Sequence, residues 1–338
     1  MSDPSRIVVL GAGNWGTTVA QLVAAAGHEV LLWTRSEEQR QEIQSAHTNR
    51  RYTGEVEISA RVEATTDLER AIAQGAVVFI VVPSNAFREV SRRLGELARP
   101  DQVYLHGTKG LELGTHRRMS EILLEETCIR QLGVLSGPNI ATEILRGQPA
   151  GTVLASRYPR VQEAGRRALQ SKDFRVFTGD DVAGVELAGA LKNVVAIAAG
   201  VADEMRLGEN TKAMLITRGI SEMAKLGIAL GAEPSTFFGM SGIGDLVVTC
   251  ESPHSRNHKL GVALAKGAKL EEALAAIGMV AEGVNTAKAV QELSQRWPVD
   301  LPLFHKVHEV LFQGLSPAVA LEQLMTLPPA RDVPQVLA

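Results

Sequence analysis

A single lysine stands out because it lies in a stretch of sequence that is otherwise almost entirely apolar. Lys192 occupies the middle of residues 187–197, where Asn193 is the only other strongly polar side chain. A buried ammonium is costly unless it is paired, and desolvation lowers its pKa toward the range useful for proton transfer. The alternative is a lysine whose long chain reaches water at the surface. We predict that Lys192 is a catalytic acid or base.

A segment rich in glycine near the N-terminus is the second candidate. It consists of Gly11, Ala12, Gly13, Asn14, Trp15 and Gly16. The segment follows a strand predicted at Arg6–Leu10 and precedes a helix predicted from Thr17, which is the order that dinucleotide-binding folds require. The glycines allow a tight turn and the close approach of a pyrophosphate, and the helix N-terminus offers it free N–H groups. The pattern predicts a dinucleotide cofactor.

The end of the second predicted strand indicates which dinucleotide is bound. An acidic residue there would hold the ribose 2′-hydroxyl of NAD, but this sequence has Arg35. An arginine suits the 2′-phosphate of NADP. The alternative is an ordinary surface arginine that opens a helix, with Glu37 and Glu38 offsetting its charge. We predict NADPH and NADP as the preferred cofactors, with NADH and NAD as the alternative.

Three further loops follow predicted strands, at residues 83–85, 106–110 and 137–141. Ligands of open α/β sheets bind outside the carboxyl ends of the strands, so these loops are candidates for contact with a ligand. Lys109 has small neighbours that leave it accessible, although a solvated loop lysine would look the same. Asn139 fits contact with a ligand and a helix cap equally well.

The last cluster lies in the second half of the chain. Asp245 sits in a glycine-rich turn, where a carboxylate can orient a lysine. Ser255, Arg256 and Asn257 offer hydroxyl, guanidinium and amide donors that fit a phosphate dianion, although these three residues alone would usually start a helix.

Metal chemistry is not predicted. Cys250, His254 and His258 suggest zinc, but one cysteine and two histidines leave the site without a fourth ligand. The phosphate-binding loop of nucleotide triphosphatases, the zinc-protease helix motif and the serine-hydrolase elbow are all missing from the sequence.

Strands and helices alternate in the first half, which predicts a doubly wound parallel sheet. Strands are expected at Arg6–Leu10, Glu29–Trp33, Val77–Val82, Gln102–His106, Gly133–Ser136, Thr152–Ala155 and Arg175–Phe177. Helices are expected at Thr17–Ala26, Phe87–Ala98, Arg118–Glu126, Lys212–Ala229, Leu270–Ala276, Glu282–Gln295 and Pro302–Phe312. From Val182 onward the pattern is helical, so we predict a dinucleotide-binding Rossmann domain at 1–181 and an all-α substrate-binding domain at 182–338.

Composition excludes several classes of protein. The 338 residues carry 35 Lys plus Arg against 38 Asp plus Glu, so a basic excess for general nucleic-acid binding is missing. Two cysteines fit a reducing compartment, and the N-terminus lacks the pattern of a secretory signal. The longest apolar run, Val194–Ala202, is far shorter than the roughly 20 residues of a membrane span. We expect a soluble cytoplasmic protein, with a homodimer as a plausible assembly.

Together these motifs resemble those of the bacterial-type NAD(P)-dependent sn-glycerol-3-phosphate dehydrogenases. The resemblance extends over residues 6–315 and rests on segments 11–16, 107–110, 136–141, 189–194, 244–246, 255–257 and 280–283, in that order. It implies a Rossmann domain followed by a helical domain of the 6-phosphogluconate dehydrogenase type. It also implies reversible reduction of dihydroxyacetone phosphate to sn-glycerol 3-phosphate, a phospholipid precursor.

The resemblance further implies roles for individual residues. The cofactor would be bound by Gly11, Gly13, Asn14, Trp15, Gly16, Arg35, Lys109, Ala141, Arg256, Val280 and Glu282. The substrate would be bound by Lys109, Gly137, Asn139, Lys192, Asp245, Ser255, Arg256 and Asn257. Lys192 would donate and accept the proton, held in place by Asp245 and Asn193.

Two positions depart from the common form of the family. Gly107 stands where alanine is more usual, and Asn139 replaces the usual serine or threonine. These changes bear on affinity and not on reaction type. Two alternatives remain: a β-hydroxyacid dehydrogenase of the 6-phosphogluconate or hydroxyisobutyrate type, and a dinucleotide-binding sensor without chemistry, which would not need a desolvated lysine.

Overall fold

The computed structural model describes residues 6–278 and 281–328. Contacts within the chain divide these residues into two units. The first unit comprises 6–108 and 119–182, and the second comprises 109–118, 183–278 and 281–328. The segment 109–118 therefore packs with the second unit, although the sequence analysis placed it in the dinucleotide-binding half. Its first residue is Lys109, one of the candidate site residues.

Eight strands of the first unit form one sheet. They are β1 Arg6–Leu10, β2 Val30–Trp33, β3 Val62–Thr65, β4 Gly75–Ile80, β5 Val103–His106, β6 Leu132–Ser136, β7 Ala150–Ala155 and β8 Phe174–Gly179. Their spatial order is β3-β2-β1-β4-β5-β6-β7-β8. The order reverses between β1 and β4, which is the point at which such sheets bind ligands. The predicted doubly wound α/β fold is confirmed.

Helices cover both faces of this sheet. They are α1 Asn14–Ala25, α2 Glu37–Ala46, α3 Arg50–Thr53, α4 Leu68–Gln74, α5 Ser84–Leu97, α6 Met119–Glu126, α7 Ala141–Leu145 and α8 Pro159–Leu169. Successive strand residues enter two different cores: Val9 and Phe79 face the core that α1 and α8 join, whereas Val8 and Val78 face the core of α4, α5 and α6. Because both faces are buried, the central strands β1 and β4 have runs of consecutive apolar residues, at 7–10 and 77–80.

Two features of the sheet differ from the prediction. The edge strand β3 was not predicted, since Val62–Thr65 is only four residues long and includes Glu63. Strands β6 and β7 are antiparallel, whereas a wholly parallel sheet was expected. The connection between them holds only the five-residue α7, which is about 8 Å long. This helix is too short to carry the chain back across the sheet, so β7 runs in the opposite direction.

The second unit is built from helices. They are α9 Val182–Glu204, α10 Glu209–Ala229, α11 Asp245–Glu251, α12 Arg256–Ala265, α13 Leu270–Ile277, α14 Glu282–Arg296, α15 Pro302–Phe312 and α16 Pro317–Met325, with a 3₁₀ turn at Pro234–Phe238 and a π turn at Met240–Gly244. By length and composition α9 is apolar enough to cross a membrane. However, 94% of its most apolar window is buried inside the structure, as in a core helix. The predicted all-α second domain is confirmed.

Helices α9 and α12 approach so closely that only glycine fits at their contact. A Cβ atom on Gly200 would lie 2.0 Å from the carbonyl oxygen of His258, and one on Gly261 would lie 2.0 Å from that of Ile197. These distances are far below van der Waals contact, and the obstructing atoms belong to the backbone. The close approach fixes the start of α12, which carries Arg256 and Asn257.

We expect Gly200→Ala to lower the free energy of unfolding by about 1–3 kcal/mol, because the overpacking outweighs the higher helix propensity of alanine. Chemical denaturation measures the change. Gly179→Ala is the control, since no atom lies within 4 Å of the added Cβ at the end of β8. A Gly200→Ala protein as stable as the wild type would contradict the close contact.

Candidate active site

Lys192 is buried on α9 and bonded to two residues of α11. Only 6% of its surface is exposed, and its Nζ atom donates to Asp245 Oδ1 at 2.7 Å and to Thr249 Oγ1. Asp245 and Thr249 are four residues apart and so lie on one face of α11. The Thr249 hydroxyl in turn donates to the backbone carbonyl of Asp245 at 2.6 Å. The surface-lysine alternative for Lys192 is wrong.

A glycine-rich π turn delivers Asp245 to this position. A Cβ atom on Gly242 would lie 2.1 Å from the carbonyl oxygen of Phe237, so a larger residue does not fit in the turn. Asp245 is the first residue of α11, which continues directly from this turn. Its side chain is almost fully buried, with 2% of its surface exposed.

Lys109 contacts the second oxygen of the same carboxylate. Its Nζ atom donates to Asp245 Oδ2, and its side chain keeps 24% of its surface exposed. The segment that carries it is held at its other end by Arg118, whose Nη1 donates to Glu186 of α9 at 2.8 Å. Lys109 is therefore a paired residue at the edge of the site, and its interpretation as a solvated loop lysine is wrong.

The surroundings of Lys192 shift its pKa toward neutrality. Burial lowers the pKa of Lys192 from 10.5 to about 8, Asp245 opposes this shift, and the positive charge of Lys109 adds to it. An ammonium with this pKa is protonated at neutral pH but releases its proton at little cost. The arrangement suits a group that gives a proton to an oxygen and takes it back.

Asn193 does not hold the ammonium, contrary to the prediction. Its Oδ1 accepts a hydrogen bond of 3.0 Å from Asn257 Nδ2, and Asn257 Oδ1 accepts one of 3.0 Å from the backbone N–H of Gly283. This chain joins α9, α12 and α14. Thr249 takes the place foreseen for Asn193, and the sequence analysis missed it, because one threonine in a helix of mixed composition carries no signal of its own.

The three residues expected at a phosphate have different surroundings. Ser255 caps α12 by accepting a hydrogen bond from the N–H of His258 at 3.2 Å. Asn257 is buried and bonded within the protein. The exposed member is Arg256, so its guanidinium is available to an anion. Glu282 begins α14, whereas Val280 lies outside the described residues.

The three residues considered as zinc ligands have other environments. Burial raises the pKa of the Cys250 thiol to about 12. The His258 Nε2 atom lies 2.7 Å from Asp203, and that carboxylate also pairs with Lys212. Within residues 6–278 and 281–328, the structure contains no group of three or more His, Cys, Asp or Glu side chains arranged to hold a metal ion.

The glycine-rich loop of the first unit has the shape that a dinucleotide needs. Gly11 has φ of +108°, and a Cβ atom there would lie 2.5 Å from the carbonyl oxygen of Val81. A Cβ on Gly16 would lie 1.7 Å from the carbonyl oxygen of Gly11. Gly13 differs, because no atom lies within 4 Å of its Cβ position. The outer glycines are thus required by the protein itself, and the middle one borders open space.

Asn14 and Trp15 begin the helix that follows this loop. Trp15 packs against Gly107, the position where alanine is more usual in the family. A Cβ atom on Gly107 would lie 2.7 Å from the indole Nε1 of Trp15. The bulky indole therefore fills the space that an alanine side chain would need.

Two residues that support this loop were not predicted. Gln39 and Asn49 both donate to the carbonyl oxygen of Ala12, at 2.6 and 2.9 Å. They lie 27 and 37 residues beyond Ala12 in the chain, and neither belongs to a recognisable motif. Only the folded chain brings them under the loop.

Arg35 is exposed just beyond the end of β2. The next residue, Ser36, caps α2 by accepting a hydrogen bond from the N–H of Gln39 at 3.2 Å. Glu37 does not offset the charge of Arg35, because its carboxylate is bonded to Arg40 and Gln41 instead. These contacts lower the pKa of Glu37 to about 2, chiefly through the hydrogen bond from Arg40.

Asn139 is not a helix cap. Its Nδ2 atom donates to the carbonyl oxygen of Gly151 at 2.9 Å, and its Oδ1 accepts from Thr152 Oγ1 at 3.0 Å. The cap position of α7 belongs to Ile140, so Ala141 is the first residue of that helix. Asn139 thereby ties the loop after β6 to strand β7. Gly137 in the same loop has φ of +148°.

The predicted residues thus form two groups. Lys109, Lys192, Asp245, Asn257 and Arg256 belong to the second unit, together with Ser255 and Glu282. The glycine-rich loop and Trp15, Arg35, Gly137, Asn139 and Ala141 belong to the first unit.

Comparison with known proteins finds one family over nearly the whole chain. The family model for the N-terminus of NAD-dependent glycerol-3-phosphate dehydrogenase matches residues 6–162, and the model for its C-terminus matches residues 181–322. The glycerol-3-phosphate dehydrogenase (NAD(P)+) of Pelotomaculum thermopropionicum is 43% identical, over 98% of this chain and 96% of that protein. The Pseudomonas aeruginosa protein of the same name is 44% identical, over 98% of both chains.

A solved structure agrees with these sequence relatives. The crystal structure of glycerol-3-phosphate dehydrogenase from Coxiella burnetii has a TM-score of 0.91 and 37% identity, over 96% of this chain and 99% of that chain. The family models and the relatives together cover both units. The chain belongs to the NAD-dependent glycerol-3-phosphate dehydrogenase family.

Proposed function

We propose that this protein reversibly reduces dihydroxyacetone phosphate to sn-glycerol 3-phosphate, with Lys192 as the proton donor. The observation that carries the proposal is the buried Lys192 ammonium, which is bonded to Asp245 and has its pKa lowered to about 8. A sensor without chemistry has no use for such a group. Membership of the family favours this reaction over that of the 6-phosphogluconate or hydroxyisobutyrate type of dehydrogenase, whose substrates carry a carboxylate.

The cofactor would be held by the first unit. Gly11, Gly13 and Gly16 shape the loop, and the N-terminus of α1 offers N–H groups to the pyrophosphate. Asn14, Trp15 and Ala141 of this unit would contact the cofactor. Further contacts would come from four other residues of the proposed set: Lys109, Arg256, Val280 and Glu282. A bound nicotinamide cofactor supplies the hydride for the reduction.

Lys192 would act on the oxygen of the substrate carbonyl. As the carbonyl is reduced, its oxygen gains negative charge, which a nearby ammonium stabilises before it transfers a proton. Asp245 and Thr249 fix the direction of the lysine amine through their two hydrogen bonds. Two ammonium groups share one carboxylate here, so the three side chains carry one positive charge in excess.

The phosphate would be bound by Arg256 and Ser255. Arg256 offers a planar fork that suits a phosphate dianion, and Ser255 offers its hydroxyl. Lys109, Gly137, Asn139, Asp245 and Asn257 complete the proposed set of substrate contacts. Binding energy from the phosphate, which does not react, would fix the carbonyl beside Lys192.

We also propose a preference for NADPH over NADH. Arg35 is exposed just beyond the end of β2, and Glu37 is bonded to Arg40, so the Arg35 guanidinium would be available to a 2′-phosphate. A role in supplying phospholipid precursors, a cytoplasmic location and a homodimeric state stay predictions of the sequence analysis.

The pH dependence of turnover tests the role of Lys192. With dihydroxyacetone phosphate and NADPH, kcat/KM falls as pH rises through about 8, because the free enzyme loses the proton it must donate. In the oxidation of glycerol 3-phosphate, kcat/KM instead rises through the same pH. Lys192→Met abolishes both inflections and lowers kcat by about 10²–10⁴-fold.

Lys212→Met is the matched control. Lys212 is also buried, but its partners Asp203 and Glu251 raise its pKa, and it lies outside the proposed site. This variant keeps the inflection near pH 8 even if its stability falls. Near-normal turnover by Lys192→Met would remove the lysine from the mechanism, and turnover only of carboxylate substrates would overturn the proposed reaction.

Exchange of Arg35 tests the choice of cofactor. Arg35→Ala lowers kcat/KM with NADPH by about tenfold or more, because only NADPH carries the 2′-phosphate. It leaves kcat/KM with NADH nearly unchanged. Arg166→Ala, which removes an exposed arginine of α8 paired with Glu163, is the control and leaves the ratio unchanged. A wild-type protein that prefers NADH, or equal losses for both cofactors, would contradict the assignment.

A further inference from the structure

Two side-chain amides hold one carbonyl group of the glycine-rich loop. Gln39 Nε2 and Asn49 Nδ2 both donate to the oxygen of Ala12, at 2.6 and 2.9 Å. Both lone pairs of this oxygen are therefore used. Asn49 is completely buried, with 0% of its surface exposed, and it lies just before α3.

The two amides are also bonded to each other and to their neighbours. Asn49 Oδ1 accepts from Gln39 Nε2 at 3.0 Å, and Asn49 Nδ2 donates to Thr17 Oγ1 at 2.8 Å. Gln39 Oε1 accepts from the Thr34 hydroxyl. Each amide nitrogen thus uses both of its N–H groups, so neither amide can rotate without losing hydrogen bonds.

This network sets the direction of the next N–H group in the loop. The peptide unit between Ala12 and Gly13 is planar and trans, so its carbonyl and its N–H point in opposite directions. Since the Ala12 carbonyl faces Gln39 and Asn49, the Gly13 N–H faces away from them. The Cβ position of Gly13 has no atom within 4 Å, so there is room for a ligand to approach this residue.

We propose that Asn49 and Gln39 are positioning residues for the pyrophosphate of the cofactor. By fixing the Ala12 carbonyl, they fix the Gly13 N–H in the direction that an anion at the start of α1 requires. Such donors bind better when they need no reorganisation. The inference rests on the proposed binding of a dinucleotide at this loop. It adds a specific consequence: because NADPH and NADH share the pyrophosphate, loss of the network weakens both equally.

Equilibrium binding of NADPH and of NADH to the full-length protein tests this inference. We expect Asn49→Ala to raise the Kd of each cofactor by about tenfold, with the ratio of the two Kd values unchanged. Asn49→Asp has nearly the same shape but places a carboxylate oxygen against the Ala12 carbonyl, so it weakens binding further. Arg35→Ala, in contrast, changes the ratio.

Gln102→Ala is the matched control. Gln102 is a buried amide of the same unit that donates to the carbonyl oxygens of Ile72 and Gly75, both at 2.7 Å, at the amino end of β5. We expect this variant to have a lower free energy of unfolding in chemical denaturation but unchanged Kd values for both cofactors. The inference is overturned if folded Asn49→Ala keeps both Kd values within about twofold of wild type, or if Gln102→Ala weakens binding as much.

Two further outcomes are decisive. If Asn49→Ala does not fold, Gln39→Ala removes one donor to Ala12 and leaves Asn49 in place, and unchanged Kd values in that variant overturn the inference. The measurement contains no substrate, so failure to reduce dihydroxyacetone phosphate does not affect it. A wild-type protein that binds neither NADPH nor NADH would instead overturn the proposed cofactor site.

Discussion

One buried carboxylate, that of Asp245, is bonded to two lysines, and the chemistry of this protein depends on that arrangement. Without the carboxylate, the Lys192 ammonium would be too costly to keep out of water and would lose its proton. With a carboxylate and no second lysine, its pKa would rise toward the ordinary value. Burial, Asp245 and Lys109 together leave the pKa of Lys192 at about 8, where donating and accepting a proton are both inexpensive. A group with this pKa can donate the proton in one direction of the proposed reaction and accept it in the other.

The fold supplies the constraint through close helix packing. Lys192 is carried by α9, which is buried on nearly every face and therefore cannot shift to release the amine. Asp245 arrives from a turn that admits only glycine at Gly242, and Lys109 from a segment anchored by Arg118. In the first unit, the glycine-rich loop is held in a similar way by Gln39 and Asn49. In both units, the residues that would contact a ligand are fixed by others that would not.

The sequence was sufficient for whatever depends on local pattern. The strand–loop–helix order identified the glycine-rich loop, continuous apolar strands indicated a sheet covered on both faces, and one lysine in an apolar helix indicated a buried amine. It was not sufficient where a contact joins distant residues. Thr249 replaced Asn193 as the partner of Lys192, and Asn49 was not predicted, because hydrogen bonds between elements leave no periodic signal. The reversed strand β7 was also missed, since its direction depends on the length of α7.

Titration of the Lys192 amine in the protein without substrate, followed by NMR of its Nζ, tests the central claim most directly. The account predicts a pKa of about 8 in the wild type, and a lower value in Asp245→Asn, because the negative charge that opposes desolvation is gone. A wild-type pKa near the ordinary 10.5, or one that does not respond to Asp245→Asn, would contradict the view that Asp245 and burial set the proton affinity of this lysine.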